Sequence, residues 1–232
     1  MSIFARILGV LHAPRATFRD VVRTPHWLGM LAWTWLLSAG AYAVVLETEV
    51  GQLALLDRWE RAAVACGQPL DDSRYAVLGA ASEHGGLYAV ASAVAIGPVL
   101  SMVVAGLLVV TLRTTSSTAT YTHALAVTTH AGVILALRQI IAAPVSYARD
   151  TLASPLTLRL FFSGLDEASI PVRLSSAIDL FVVWWIITLA IGSSVLYRRP
   201  ARRLAMAFLG TYLAFAALVT SAMVLLQGAS AR

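Results

Sequence analysis

Residues Ser176–Tyr197 read SAIDLFVVWWIITLAIGSSVLY, with one acid near the start and a basic cluster directly after the end. About 20 helical residues, each rising about 1.5 Å, cross the roughly 30 Å hydrocarbon core of a bilayer. The stretch is long enough for that, and Asp179 is the charge that it would carry into the membrane. It therefore predicts a membrane-spanning helix whose basic end, beginning at Arg198, stays in the cytoplasm.

Four further stretches have the length and the apolar character of membrane spans. With the first they predict spans at about 27–46, 86–112, 121–145, 176–197 and 204–227. A content of 59% hydrophobic and 12% charged residues agrees, because soluble domains carry about a quarter of charged residues. The predicted fold class is an all-α integral membrane protein with five transmembrane helices, forming one domain over residues 1–232.

The N-terminal segment 1–24 has the pattern of an amphipathic arm that lies along the membrane surface. Apolar residues recur at helical spacing within Phe4–Leu11, and four arginines are spread through the segment. Pro14 is expected to divide it into two short helices, with Phe18 on the apolar side of the second. A signal peptide is the alternative, but the apolar run is short and arginines continue beyond it.

The distribution of charge predicts the orientation in the membrane. The arm and the 198–203 turn each carry four arginines, whereas the 47–85 loop has three arginines and seven acids. Basic loops stay in the cytoplasm, so we expect the N-terminus inside and the C-terminus outside. The net charge of +5 therefore reports topology, and no nucleic-acid partner is expected.

Both long outer loops are expected to hold structure. Helical spacing from Leu55 to Cys66 predicts an amphipathic helix that extends the first span. The apolar run at 156–162, LTLRLFF, is expected to lie on the outer membrane surface or to cover the ends of the helices. Cys66 is the single cysteine of the sequence, which excludes an internal disulfide.

The second span contains a Gly-Pro step. Pro98 is expected to kink the helix, because it lacks the N–H of an interior helix bond. Ala93 and Gly97 form a small-xxx-small pair that would allow close contact with another helix.

Arg138 and Asp179 are the costly charges of the predicted spans, and both are placed near the outer membrane face. An ion pair between them would lower the cost of burying either charge. Alternatively, Ser176-x-x-Asp179 forms a capping box while Arg138 extends its guanidinium towards the interface. A substrate or proton site is the third interpretation.

His123, His130 and Arg138 share one face of the third span, which predicts a polar seam pointing into the bundle. Such a seam could serve a small transporter, with His130 as a proton relay. The alternative is a histidine that is hydrogen-bonded to a neighbouring helix. No zinc-peptidase, nucleophile-elbow, phosphate-loop or dinucleotide motif occurs, so no catalytic residue, metal or cofactor is predicted.

Short motifs along the chain resemble those of the Yip-one domain family of multi-pass membrane proteins. They are Pro14 and Phe18, Pro25 before the first span, Ala119–Leu125, Ile178–Trp184 with its Asp-x-Phe-x-x-Trp pattern, and Gly192. The long 47–85 loop departs from the family pattern. The resemblance implies a non-enzymatic scaffold or accessory subunit in a membrane assembly, with other integral membrane proteins as partners.

The eukaryotic members of that family interact with Rab-type GTPases. The basic residues here are all arginine, which hints at a bacterial-type member in the inner membrane without a Rab partner. A small transporter and an intramembrane enzyme are the competing function classes.

Overall fold

The computed structural model describes residues 2–65, 68, 71–112, 119–152, 154, 156–162 and 175–230. Cys66, the 113–118 turn and most of the second outer loop, 163–174, lie outside this part of the chain, and so do the predictions that concern them. The described residues form α-helices, one 3-10 helix and no strand.

The α-helices are joined by connections of very different length, from one residue between the first two helices to the second outer loop before the helix that starts at Leu180. In chain order they are α1 (Ile3–His12), α2 (Pro14–Arg23), α3 (Leu28–Leu46), α4 (Glu49–Ala65), α5 (Asp72–Ser82), α6 (Gly85–Leu112), α7 (Tyr121–Ala131), α8 (Val133–Ala148), α9 (Leu180–Tyr197) and α10 (Ala201–Ser230). The 3-10 helix covers Leu158–Phe162.

The predicted all-α membrane fold is confirmed, since five helical spans in the described residues are long and apolar enough to cross a bilayer. Three boundaries differ from the prediction. The third span covers Tyr121–Ala148 and is interrupted at Gly132. The fourth begins at Leu180, and the fifth begins at Ala201.

The predicted helix in the first outer loop is confirmed as α4, but it is not an extension of α3. Thr48 separates the two helices, and its Oγ1 accepts the N–H of Gly51 at 3.1 Å. This bond satisfies a backbone donor of the first turn, so a new helix starts there. By contrast α6 continues through Pro98, and the predicted kink stays a prediction.

The chain forms two compact units, each built from three separate stretches. Unit 1 comprises 1–39, 92–139 and 181–211, and unit 2 comprises 40–91, 140–180 and 212–232. The core of unit 1 is one apolar cluster that includes Phe18, Ala105, Val127 and Leu189. Leu46, Leu55 and Ala89 form a smaller cluster in unit 2.

A second helix start in unit 2 is fixed by a carboxylate. Asp71 Oδ1 accepts the backbone N–H of Arg74 and the hydroxyl of Ser73, both at 2.8 Å, at the beginning of α5. The hydrogen bond from the Arg74 backbone, and then that from Ser73, lower the pKa of Asp71 below its ordinary value. Asp71 is therefore an N-cap whose charged form is the one that α5 prefers.

Candidate functional site

The N-terminal arm is packed into unit 1. Phe18 and Val21 are completely buried, while α1 and α2 both contact α7. The prediction that Phe18 lies on the apolar side of α2 is confirmed, but this side faces the protein's own helices. The arm is therefore a structural part of the bundle.

Phe18 packs against Gly192, the position at which the fourth span has no side chain. A Cβ on Gly192 would be 2.9 Å from Phe18 Cε1 and 2.6 Å from Val127 Cγ1, closer than packed carbons approach. The glycine thus admits both the aromatic ring from α2 and the valine from α7. We call this three-residue packing the arm contact.

A buried ion pair holds the two helices of the arm together. Arg6 is only 6% exposed, and its Nη2 lies 2.8 Å from Asp20 Oδ2, to which Nε donates at 3.0 Å. The same guanidinium donates to the hydroxyl of Thr24 at 2.5 Å and to its carbonyl at 3.4 Å. These bonds satisfy a charge that burial would otherwise make costly.

Sequence reasoning missed this pair because it treated Arg6 as one of four surface arginines. One signal could have found it: Asp20 is the single acid of segment 1–24. The hairpin is also close-packed, since a Cβ on Gly9 would collide with the Thr17 hydroxyl on α2.

The two histidines of the third span bond to their own helix. His130 is 1% exposed, and its Nδ1 donates to the Ala126 carbonyl at 2.7 Å. This is a local bond, so the alternative of a bond to a neighbouring helix was wrong for this nitrogen. His123 Nδ1 accepts the hydroxyl of Thr120 at 2.7 Å and its backbone N–H at 3.4 Å, which caps α7.

The three residues of the predicted polar seam, His123, His130 and Arg138, lie in different surroundings. His123 lies at the helix start, His130 is in the core, and the half-buried Arg138 follows the interruption at Gly132. Proton or solute transport along it stays a prediction, which loss of flux in vesicles on His130→Ala would support.

Asp179 lies at a junction in unit 2. Its Oδ2 accepts the hydroxyl of Ser154 at 2.6 Å, and its backbone pairs with Thr157 in an isolated antiparallel bridge. The hydroxyl of Tyr212 accepts the Asp179 N–H at 3.2 Å and donates to the Ala177 carbonyl at 3.0 Å. The junction therefore joins the second outer loop, the entry to α9 and the helix α10.

This geometry corrects the predicted capping box. Asp179 directly precedes α9 and is outside the helix, whereas Ser176-x-x-Asp179 requires it in the first turn. Its ion pair with Arg138 stays a prediction, since Asp179 belongs to unit 2 and Arg138 to unit 1.

The small-residue pair of the second span leaves open space in unit 1. A Cβ on Gly97 would have Trp35 Cδ1 as its neighbour at 3.9 Å, an ordinary van der Waals distance. Among the described residues of this unit, no backbone comes close at Gly97. Close helix contact at Ala93 and Gly97 therefore stays a prediction. A helix of a second chain could make this contact.

A family model described as the Yip1 domain matches residues 8–223 of this chain. The chain belongs to the Yip1 domain family. Neither the comparison with curated proteins nor that with solved structures finds a match.

The match includes all three residues of the arm contact, Phe18, Val127 and Gly192, and the junction at Asp179. The resemblance drawn from short motifs is thereby confirmed at the level of the family. In this Yip1-family chain, two motif residues far apart in sequence form one packed site. In the part of the chain that the structure describes, no group of three or more His, Cys, Asp or Glu could hold a metal.

Proposed function

We propose that this Yip1-family protein is a non-enzymatic scaffold or accessory subunit that packs against other integral membrane proteins. In this proposal it lies in a bacterial inner membrane, with its N-terminus in the cytoplasm and its C-terminus outside. The supporting observation is the unequal burial of its spans.

The third and fourth spans are 61% and 50% buried over their most apolar windows, and they supply just over half of the buried core residues of unit 1. The first, second and fifth spans are only 17%, 12% and 11% buried. Their side chains include Val44, Val110 and Leu218, which are 71%, 82% and 67% exposed. Three spans thus keep apolar surface for lipid and for partner helices.

Site-specific photo-crosslinking in the native membrane tests this proposal. A photoreactive residue at Val110, and in separate variants at Val44 and Leu218, should capture a protein partner. Ala105 on the same helix as Val110 is completely buried and provides the matched control. It should crosslink within the chain.

Partners captured at an exposed position, and not at Ala105, would support the scaffold role. Crosslinks to lipid and to the chain itself at all three exposed positions would contradict it. Purification in mild detergent gives a second test, because a monomer without co-purifying protein would count against the proposal.

Cysteine labelling tests the proposed orientation. We expect Cys66 to react with a membrane-impermeant reagent added outside. A tag in the 198–203 turn should stay protected until the membrane is opened. The reverse pattern would overturn the orientation and leave the scaffold role untouched.

A further inference from the structure

Formal charge is divided sharply between the two units. The sequence of unit 1 contains ten arginines and one acid, whereas unit 2 contains seven arginines and eleven acids. The one acid of unit 1 is Asp20, which is bound to the buried Arg6. Unit 1 therefore contains no second carboxylate that could neutralise its surface arginines.

The packing of α2 fixes the direction in which three of these arginines point. Arg15, Arg19 and Arg23 are spaced four residues apart, so they form one stripe along the helix, and all three are exposed. The opposite face of α2 contains Phe18 and Val21, which are completely buried. The helix cannot rotate to hide its stripe without removing these side chains from the core.

The neighbouring helix of the arm presents an apolar surface. Phe4 and Leu8, one turn apart on α1, are 62% and 58% exposed. Phe4 also makes an edge-to-face contact with Trp33 of the first span, with ring centroids 5.2 Å apart. The exposed side of α1 thus continues onto a membrane span, and α1 itself packs against α2, which carries the basic stripe.

A second group of exposed arginines belongs to unit 1 as well. Val21 of α2 lies in one cluster with Leu112, Leu196 and Leu204, at the ends of α6 and α9 and the start of α10. Arg198 directly follows α9, and Arg202 and Arg203 lie in the first turn of α10; all three are exposed. Unit 1 therefore has an exposed apolar surface on α1 and an exposed basic surface on α2, its neighbour in the arm.

We propose that Arg15, Arg19 and Arg23 bind the head groups of anionic phospholipids while the exposed face of α1 contacts their acyl chains. We call this surface the lipid-binding face. An anionic phospholipid matches both the arginines and the apolar surface, since it supplies an anionic group and hydrocarbon in one molecule. The lipid-binding face does not depend on the proposed scaffold role.

Native mass spectrometry of the full chain in neutral detergent tests the lipid-binding face. The probes are phosphatidylglycerol and phosphatidylcholine of identical acyl chains, and the readout is the ratio of their apparent affinities. One arginine near an anionic surface favours binding by about 1 kcal/mol, or about fivefold. We expect R15Q/R19Q/R23Q to reduce the preference for phosphatidylglycerol by about tenfold or more.

The chain offers a control of equal charge. R58Q/R61Q/R74Q removes three exposed arginines from unit 2 and should leave the preference unchanged. Equal losses in both triple variants would show that the preference follows net charge alone, and no loss in R15Q/R19Q/R23Q would exclude the stripe. Either result would overturn the lipid-binding face.

Two further measurements separate binding from other causes. Thermal unfolding with phosphatidylcholine should be the same for wild type and R15Q/R19Q/R23Q, because the three side chains are exposed. Glycerol 3-phosphate, a head group without acyl chains, should not displace the bound lipid. Displacement by this soluble compound would overturn the assignment to lipid in favour of a free phosphate ligand.

Discussion

The arm contact predicts that Gly192→Ala destabilises the protein. The added Cβ would lie 2.6 Å from Val127 Cγ1 and 2.9 Å from Phe18 Cε1. Carbon atoms pack at about 3.5–4.0 Å, so Phe18, Val127 or the α9 backbone must move by about an ångström. Phe18 and Val127 lie in the apolar core of unit 1, which cannot yield without losing other contacts.

The magnitude follows from two opposing terms. Overpacking of a filled core costs about 1–3 kcal/mol, whereas alanine favours a helix over glycine by up to about 1 kcal/mol. We expect a net loss of about 1–2 kcal/mol. On the scale of soluble proteins of this size, the midpoint of thermal unfolding would fall by about 2–8 °C.

The assay is thermal unfolding in one mild detergent. A matched glycine-to-alanine variant elsewhere measures the gain in helix propensity alone. Gly210→Ala in α10 adds the same methyl group where no atom beyond the local helix backbone and the two neighbouring residues lies within 4 Å of the new Cβ. It should leave the midpoint unchanged or raise it. Adding Val127→Ala to Gly192→Ala should recover part of the loss, because it removes the nearest clashing atom. A midpoint for Gly192→Ala equal to that of Gly210→Ala would refute the arm contact.

Three further predictions concern polar contacts. Asp20→Asn should destabilise the protein by less than the about 3–5 kcal/mol that breaking a fully buried pair costs, because the Asp20 side chain is 30% exposed. Measured unfolding midpoints should fall further in Asp20→Asn alone than in the double variant Arg6→Gln/Asp20→Asn, because the single change leaves the Arg6 charge without its partner. Tyr212→Phe should lower the unfolding midpoint by the equivalent of about 0.5–1.5 kcal/mol, because it removes two hydrogen bonds to backbone groups before α9, one partly buried and one exposed; the exposed Tyr75→Phe should lower it little. For Asp71, whose bonds lower its pKa, α5 should keep its stability above pH about 4 and lose it as the pH falls through the lowered pKa. Hydrogen exchange of the α5 amides measures this loss, and Asp71→Asn should abolish the acid-dependent step.

The membrane fold could be predicted from the sequence because length and hydropathy report directly on crossing a bilayer. The second-span boundaries agree within a residue, and the helix α4 follows from its apolar spacing. Two spans differ from the prediction for local reasons. Gly132 interrupts the third span, and backbone pairing of Asp179 with Thr157 delays the start of the fourth.

The arm contact could not be predicted from the sequence alone. Phe18 and Gly192 were both visible as family motif residues, but their partnership is a contact across 174 positions that no periodicity reports. Arg6 was assigned to the surface because arginine is rarely buried without a partner. Its partner Asp20 comes within reach only when the hairpin of α1 and α2 closes.

The sequence by itself determined the number of spans, their helical class and the segregation of arginine from acid, since each depends on composition within a short window. The tertiary structure decided which face of the arm is buried, which side chains pack against the glycine of the fourth span, and which charged groups form ion pairs or hydrogen bonds. Those outcomes depend on the close approach of side chains from separate segments. The missing Cβ at Gly192, for example, leaves the space that Phe18 and Val127 fill.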